Sequence, residues 1–159
     1  MAHCSAVAAD TKVETPEGSM TIRAVAGQAI AVLTKTDTGR HLFRLMKNVE
    51  KAADQEPVLR ITLENGLSFR VGLEQILFKH GMVETRAADL AAGITLESAF
   101  HFPVGHQYKD ARGNGCTSTG AWQVKSVEPA GNAEVYRLNV NQTGTFFLSA
   151  GVLCKADGN

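Results

Sequence analysis

The chain has 159 residues, 44% of them hydrophobic, and its sixteen basic and sixteen acidic side chains cancel to a formal net charge of zero. That length lets one domain over residues 1–159 bury a core without staples. The charge balance excludes a strong overall field that would draw nucleic acid or an anionic membrane, and its weak self-repulsion permits a homo-oligomer.

Met1 to Asp10 has neither a basic start nor a long apolar run, so no signal peptide is expected and synthesis in the cytoplasm is the default. No apolar run anywhere approaches the roughly 18–20 residues of a membrane span. Lys12 to Thr15 reads as a strand, closed by the turn signal Pro16-Glu17-Gly18. Ile22 to Gly27 reads as a single helical turn ending in glycine. A strand over Ala29 to Leu33 follows, then a Thr38-Gly39 turn that places His41 at the surface. Leu42, Leu45, Met46 and Val49 fall at helical spacing, which leaves Leu42 to Ala53 open between helix and strand.

Val58 to Val71 is the clearest local element, with Leu59, Ile61 and Leu63 alternating with polar residues before the turn and Leu67, Phe69 and Val71 after it. A two-residue Asn65-Gly66 turn would pair Leu63 with Ser68 and set apolar against polar side chains along the ladder. A three-residue loop, Glu64-Asn65-Gly66, pairs Leu63 with Leu67 and Ile61 with Phe69, keeping one apolar face. The three-residue loop is therefore predicted. Ala87 to Gly93 echoes the earlier helical turn. His101 to Ala121, rich in Gly, Ser, Thr and charge, reads as a long loop and a candidate contact surface. Trp122 to Val127 and Val135 to Val140 read as two strands separated by a Pro129-Ala130-Gly131-Asn132 turn. Many short strands with turn chemistry between them predict an all-β domain.

The last part of the chain carries a resemblance. Val135-Tyr136-Arg137-Leu138-Asn139-Val140, then Phe147-Leu148-Ser149-Ala150-Gly151-Val152-Leu153, is similar to the C-terminal pattern of the Hint family, which includes inteins, Hedgehog autoprocessing domains and bacterial intein-like domains. Asp10-Thr11-Lys12-Val13-Glu14-Thr15-Pro16-Glu17-Gly18 resembles the family's D-T-x-V-x-T-x-x-G near its start. The likeness covers about Ala6 to Ala156, leaving 101–121 unmatched. It implies a curved, pseudo-symmetric Hint-like β fold with its two ends close together, and it places a strand around Met46 to Lys51.

The family's chemistry implies six positions. Its first residue, a Cys or Ser nucleophile that attacks the preceding carbonyl, corresponds to Ala6. The T-x-x-H pair that holds and polarises the scissile amide corresponds to Gly72 and Gln75, and a glutamine cannot relay a proton near neutral pH. A downstream His corresponds to Thr145, and the closing His-Asn pair to Lys155 and Ala156, where alanine cannot cyclise. Arg137 stands where the family often has Asp. The expectation is a catalytically degenerate member, its residues lost by natural decay rather than engineering, with no cofactor and no metal.

Other candidates are sparse. Cys4, Cys116 and Cys154 offer no disulfide framework or C-x-x-C pair, and His101, His106 and Cys116 match no metal-site spacing. Cys154 reads as a strand residue whose pKa Lys155 lowers slightly, and Trp122 as a core side chain. Glu74 has no visible partner for hydrolase chemistry, and Lys35, Arg40, Arg44 and Lys47 read as a solvated face. Only Asp157-Gly158-Asn159 follow Ala156, so a free-standing module is expected. The leading expectation is a non-catalytic structural or interaction protein with protein partners in a larger assembly. A phage virion component, capsid-decorating or tail, is its specific form. The alternative is residual self-cleavage through Cys4; a thiol- or metal-dependent binder using Cys116 or Cys154 ranks third.

Overall fold

The computed structural model describes residues 4–64, 66–98, 107–109, 112–117 and 122–157. Their regular structure is all β apart from two single turns of 3-10 helix. In chain order the strands are β1 (Val7–Ala8), β2 (Lys12–Thr15), β3 (Gly18–Thr21), β4 (Ile30–Lys35), β5 (His41–Leu63), β6 (Ser68–Gly72) and β7 (Ile76–Lys79). There follow β8 (Val83–Arg86), β9 (Thr95–Leu96), β10 (Gln107–Lys109), β11 (Gly115–Thr117), β12 (Trp122–Val140), β13 (Thr145–Phe147) and β14 (Leu153–Lys155). The helical turns are Arg23–Val25 and Ala87–Asp89. Each follows a hairpin, β2–β3 in one half and β7–β8 in the other, so the internal echo is a repeated hairpin-plus-turn unit.

The β5–β6 register sets Thr62 against Ser68, Ile61 against Phe69 and Leu59 against Val71. The Leu63 N–H donates to the Leu67 carbonyl at 2.8 Å and Gly66 takes a left-handed φ of 88°. That is the three-residue loop, chosen because it alone keeps Ile61 and Phe69 on the buried face.

Leu42 to Ala53 is a strand, as the resemblance implies around Met46 to Lys51, but a longer one, part of the 23-residue β5. Its helical spacing arises from a bulge: Asn48, at φ 55°, slips the alternation by one, so that both Met46 and Val49 are buried. Likewise Pro129–Asn132 is no turn. β12 runs through it for 19 residues, and a register shift lies between Pro129 and Asn132 where Gly131 has φ 76°. Proline, with no N–H for the ladder, is tolerated at such a bulge. β4 also begins and ends later than Ala29 to Leu33, and part of 101–121 is a small hairpin, β10 against β11. His41 opens β5 rather than a turn and stacks on Phe147, ring centroids 5.5 Å apart.

Long strands β5 and β12 pair antiparallel from Met46–Val140 to Leu63–Val124. β1 pairs with both β12 and β6, and β6 with β5, so these four strands close a circuit. Val7 sits inside it, fully buried, opposite Tyr136 on one side and Val71 on the other. The main core gathers Val13, Ile61, Leu63, Leu77, Leu138 and Phe146 from both halves. Each such side chain contributes about 1.5–3 kcal/mol by leaving water.

A partly buried ion pair joins the end of β4 to the segment after β9. Lys35 Nζ lies 3.2 Å from Glu97 Oε1, with side chains 17% and 5% exposed. Burial raises the Glu97 pKa, but the Lys35 hydrogen bond and charge and the N–H groups of Gly81 and Met82 outweigh it, leaving a net depression below the ordinary 4.5. A depressed carboxylate contributes stability that is present above its unfolded pKa and lost as pH falls through the lower folded value. Urea midpoints followed from about pH 6 to about pH 3 should therefore fall, and Glu97→Gln should flatten that fall. It should also lower stability at neutral pH, since the half-buried Lys35 ammonium loses its partner. An acid limb identical in both proteins would count against this account.

Candidate functional site at the joined chain ends

β1 brings the N-terminal segment to the middle of the sheet, and β14 brings the C-terminal segment alongside β7, with Cys154 opposite Leu77. Gln75 lies where β6 turns into β7 and is fully buried. Its Oε1 accepts the Ala6 N–H at 2.8 Å. Its Nε2 faces three carbonyls, those of Cys4 at 3.0 Å, Ile76 at 2.8 Å and Lys155 at 3.0 Å. With one N–H on one side and only carbonyls on the other, the amide has a single workable orientation. It thereby bridges both ends of the chain.

Gly72 is placed by contact. Its N–H donates to the Ala6 carbonyl at 2.7 Å, and a Cβ there would stand 2.8 Å from the Ala6 Cβ. No larger residue fits without moving β1. Ala156, 2% exposed, donates its N–H to the Gly144 carbonyl at 2.8 Å. Thr145 lies opposite Lys155 in the β13–β14 register and shares a 2.7 Å hydrogen bond with the Thr34 hydroxyl, which also meets Thr143. Ala6, Gly72, Gln75, Thr145, Lys155 and Ala156 thus lie together at one joint. A cavity of about 360 Å³ opens beside it, lined in part by Lys35, Glu84, Thr145 and Lys155.

Two residues at the joint were missed in the sequence. Asp157 Oδ1 accepts the N–H groups of Cys4 and Ser5 and the Ser5 hydroxyl, all at 2.9 Å. Ser5 Oγ in turn accepts the Leu138 N–H at 3.1 Å. Ser5 beside Ala6 was visible as a hydroxyl near the expected nucleophile; Asp157, 152 positions away, gave no local signal.

Of the remaining candidates Cys4 stays at the joint, and the others lie away from it or change character. Cys4 is half-buried and Cys154 buried. Desolvation pushes the Cys154 thiol well up, reversing the expected lowering by Lys155, whose ammonium points instead to Glu84 at 2.8 Å. Glu74 is exposed and meets Arg86 at 3.4 Å. Lys35 is held in the pair with Glu97 rather than on a solvated face. His101, His106 and the side chains of Cys116 and Trp122 lie outside the described residues. Among the described residues no cluster of three or more His, Cys, Asp or Glu could hold a metal, and no helix is long and apolar enough to cross a membrane.

The backbone is similar to solved inteins over nearly its whole length. A DnaB intein from Synechocystis superposes with a TM-score of 0.76 at 11% identity, covering 97% of this chain and 99% of that one. The gp41-1 intein gives 0.66 at 19% identity over 95% and 98%. A bacterial intein-like domain from Clostridium thermocellum gives 0.67 at 17% identity over 95% and 98%. The fold is therefore the intein-type Hint fold. No protein-family model and no curated protein matches the chain.

The joint yields two predictions. Gly72→Ala should cost about 1–3 kcal/mol by overpacking, and adding Ala6→Gly should recover part of it, as read by urea unfolding; an equal cost in both backgrounds would remove the contact from the explanation. In native protein, iodoacetamide followed by peptide mapping should modify Cys4 and leave Cys154 untouched until unfolding. Labelling of Cys154 at the rate of Cys4 would contradict its burial.

Proposed function

We propose that this chain is a non-catalytic structural or interaction protein built on an intein-type scaffold. The observation that carries the reading is the closed hydrogen-bond network at the joint. Gln75 is occupied on both sides by backbone groups, and Ala6, Gly72 and Ala156 place no nucleophile, hydroxyl or cyclising amide there. Groups held this way fasten the ends of the chain; they do not transfer protons or acyl groups. On this reading the protein works through protein partners in a larger assembly. The specific form we propose is a phage virion component, decorating a capsid or built into a tail. Analogy with the Hint modules of phages and mobile elements supports that form.

One observation favours a second reading, self-cleavage. The Cys4 carbonyl receives two N–H donors, from Ile76 at 2.9 Å and Gln75 at 3.0 Å, beside the Ser5 hydroxyl that donates to Asp157. Ser5 Oγ attacking that carbonyl, its proton passing through Asp157 to the departing Ser5 nitrogen, would exchange the Cys4–Ser5 amide for an ester. Against this, Ser5 Oγ already accepts the Leu138 N–H at 3.1 Å, which engages a lone pair it would need for attack. The route through Cys4 itself would cut the bond to His3.

The intact mass of fresh protein, and again after long incubation with thiol and with hydroxylamine, tests both readings. The full-length mass should persist. Loss of residues 1–3 would establish attack by Cys4, loss of residues 1–4 attack by Ser5, and either would overturn the non-catalytic reading.

A further inference from the structure

A second cavity, of about 380 Å³, lies away from the joint, and its walls include Asp10, Lys12, Arg60, Arg70, Leu67 and Ser149. Its charge is unbalanced. Three cations, Lys12, Arg60 and Arg70, face one carboxylate, Asp10, so the lining carries an excess of two positive charges. Asp10 is already engaged, its Oδ1 lying 2.8 Å from Arg70 Nη2. No ion pair is formed by Arg60 or Lys12 among the described residues, although Glu128 is the register neighbour of Arg60 on its other side.

The β5–β6 register sets Arg60 directly opposite Arg70. Like charges facing one another across a ladder are destabilising, and a bound anion relieves that cost. Leu67, 38% exposed, and Ala150 supply apolar surface in the same cavity.

We infer that this cavity binds an acidic segment of a protein partner, a carboxylate held between Arg60 and Arg70 with an adjacent apolar side chain against Leu67. Guanidinium groups suit carboxylates because their planar donors meet both oxygens. The space exceeds what a lone phosphate fills, and the apolar surface suits a peptide side chain. An extended nucleic-acid strand is disfavoured, since Asp10 interrupts the positive surface and the chain carries no net charge to draw a run of phosphates. The inference rests on the interaction-protein reading and names the chemistry of its partner.

The test uses the full chain, its intact mass verified, with fluorescein-labelled hexapeptides of alternating Glu and Leu or of alternating Gln and Leu, and an oligothymidylate. Fluorescence polarisation should show saturable, salt-sensitive binding of the Glu peptide and much weaker binding of the Gln peptide. Arg60→Glu should weaken the Glu peptide at least about tenfold, while Lys47→Glu, outside the cavity, should leave it unchanged; matching far-UV spectra and melting curves keep folding out of the comparison. No binding of the Glu peptide at millimolar concentration, equal binding of the Gln peptide, an Arg60→Glu variant that binds like the parent, or tighter capture of the oligothymidylate would each overturn the inference. Any of these with an unchanged full-length mass would sink the cavity assignment and leave the non-catalytic reading standing; only a shortened mass overturns that.

Discussion

One buried carboxamide holds the two ends of this chain in a single place, and the rest of the architecture depends on it. The first described residues enter the middle of a sheet, where their backbone groups cannot reach water and must be matched by protein. Gln75 supplies one acceptor and two donors at that point, meeting Ala6, Cys4 and Lys155 together. Asp157 completes the match from the other terminus. With those groups satisfied, β1 can close the circuit through β12, β5 and β6, and Val7 becomes part of the core.

The same arrangement suits the non-catalytic role proposed above for this intein-type scaffold. A site that cleaves its own backbone needs mobile protons and a nucleophile with room to move. Here Gly72 and Ala6 lie too close to admit a Cβ between them, and the amide of Gln75 is held by fixed hydrogen bonds. On that proposal the joint contributes static order, and specificity resides at the surface. The balance of charge across the whole chain hides how uneven that surface is, with a cluster of cations at one cavity and paired ions elsewhere.

Much of this was legible in the sequence, for identifiable reasons. The hairpin at Glu64–Gly66 could be assigned because only one loop length keeps Ile61 and Phe69 on the same face, and that register alone already sets Arg60 against Arg70. The joint was legible where a family pattern could be counted, which located Ala6, Gly72 and Gln75. The long strands were not, because a bulge uses the same residues as a turn. Pro129, Gly131 and Asn132 satisfy either, and Asn48 disguised a strand as a helix by shifting its phase. Asp157 and Ser5 were invisible as a pair because a contact across 152 positions leaves no local pattern.

The central seat of β1 also fixes when the molecule can form. Val7 needs Tyr136 as its neighbour, and the Cys4 amide needs the Asp157 carboxylate 153 residues later. The opening segment can pair early with β6 at Val71, but its seat is complete only when β12 and Asp157 are in place. Contacts this distant in sequence carry a heavy loop-closure cost and slow the approach to the native state. The domain is thus open to mispairing until its last strands have joined.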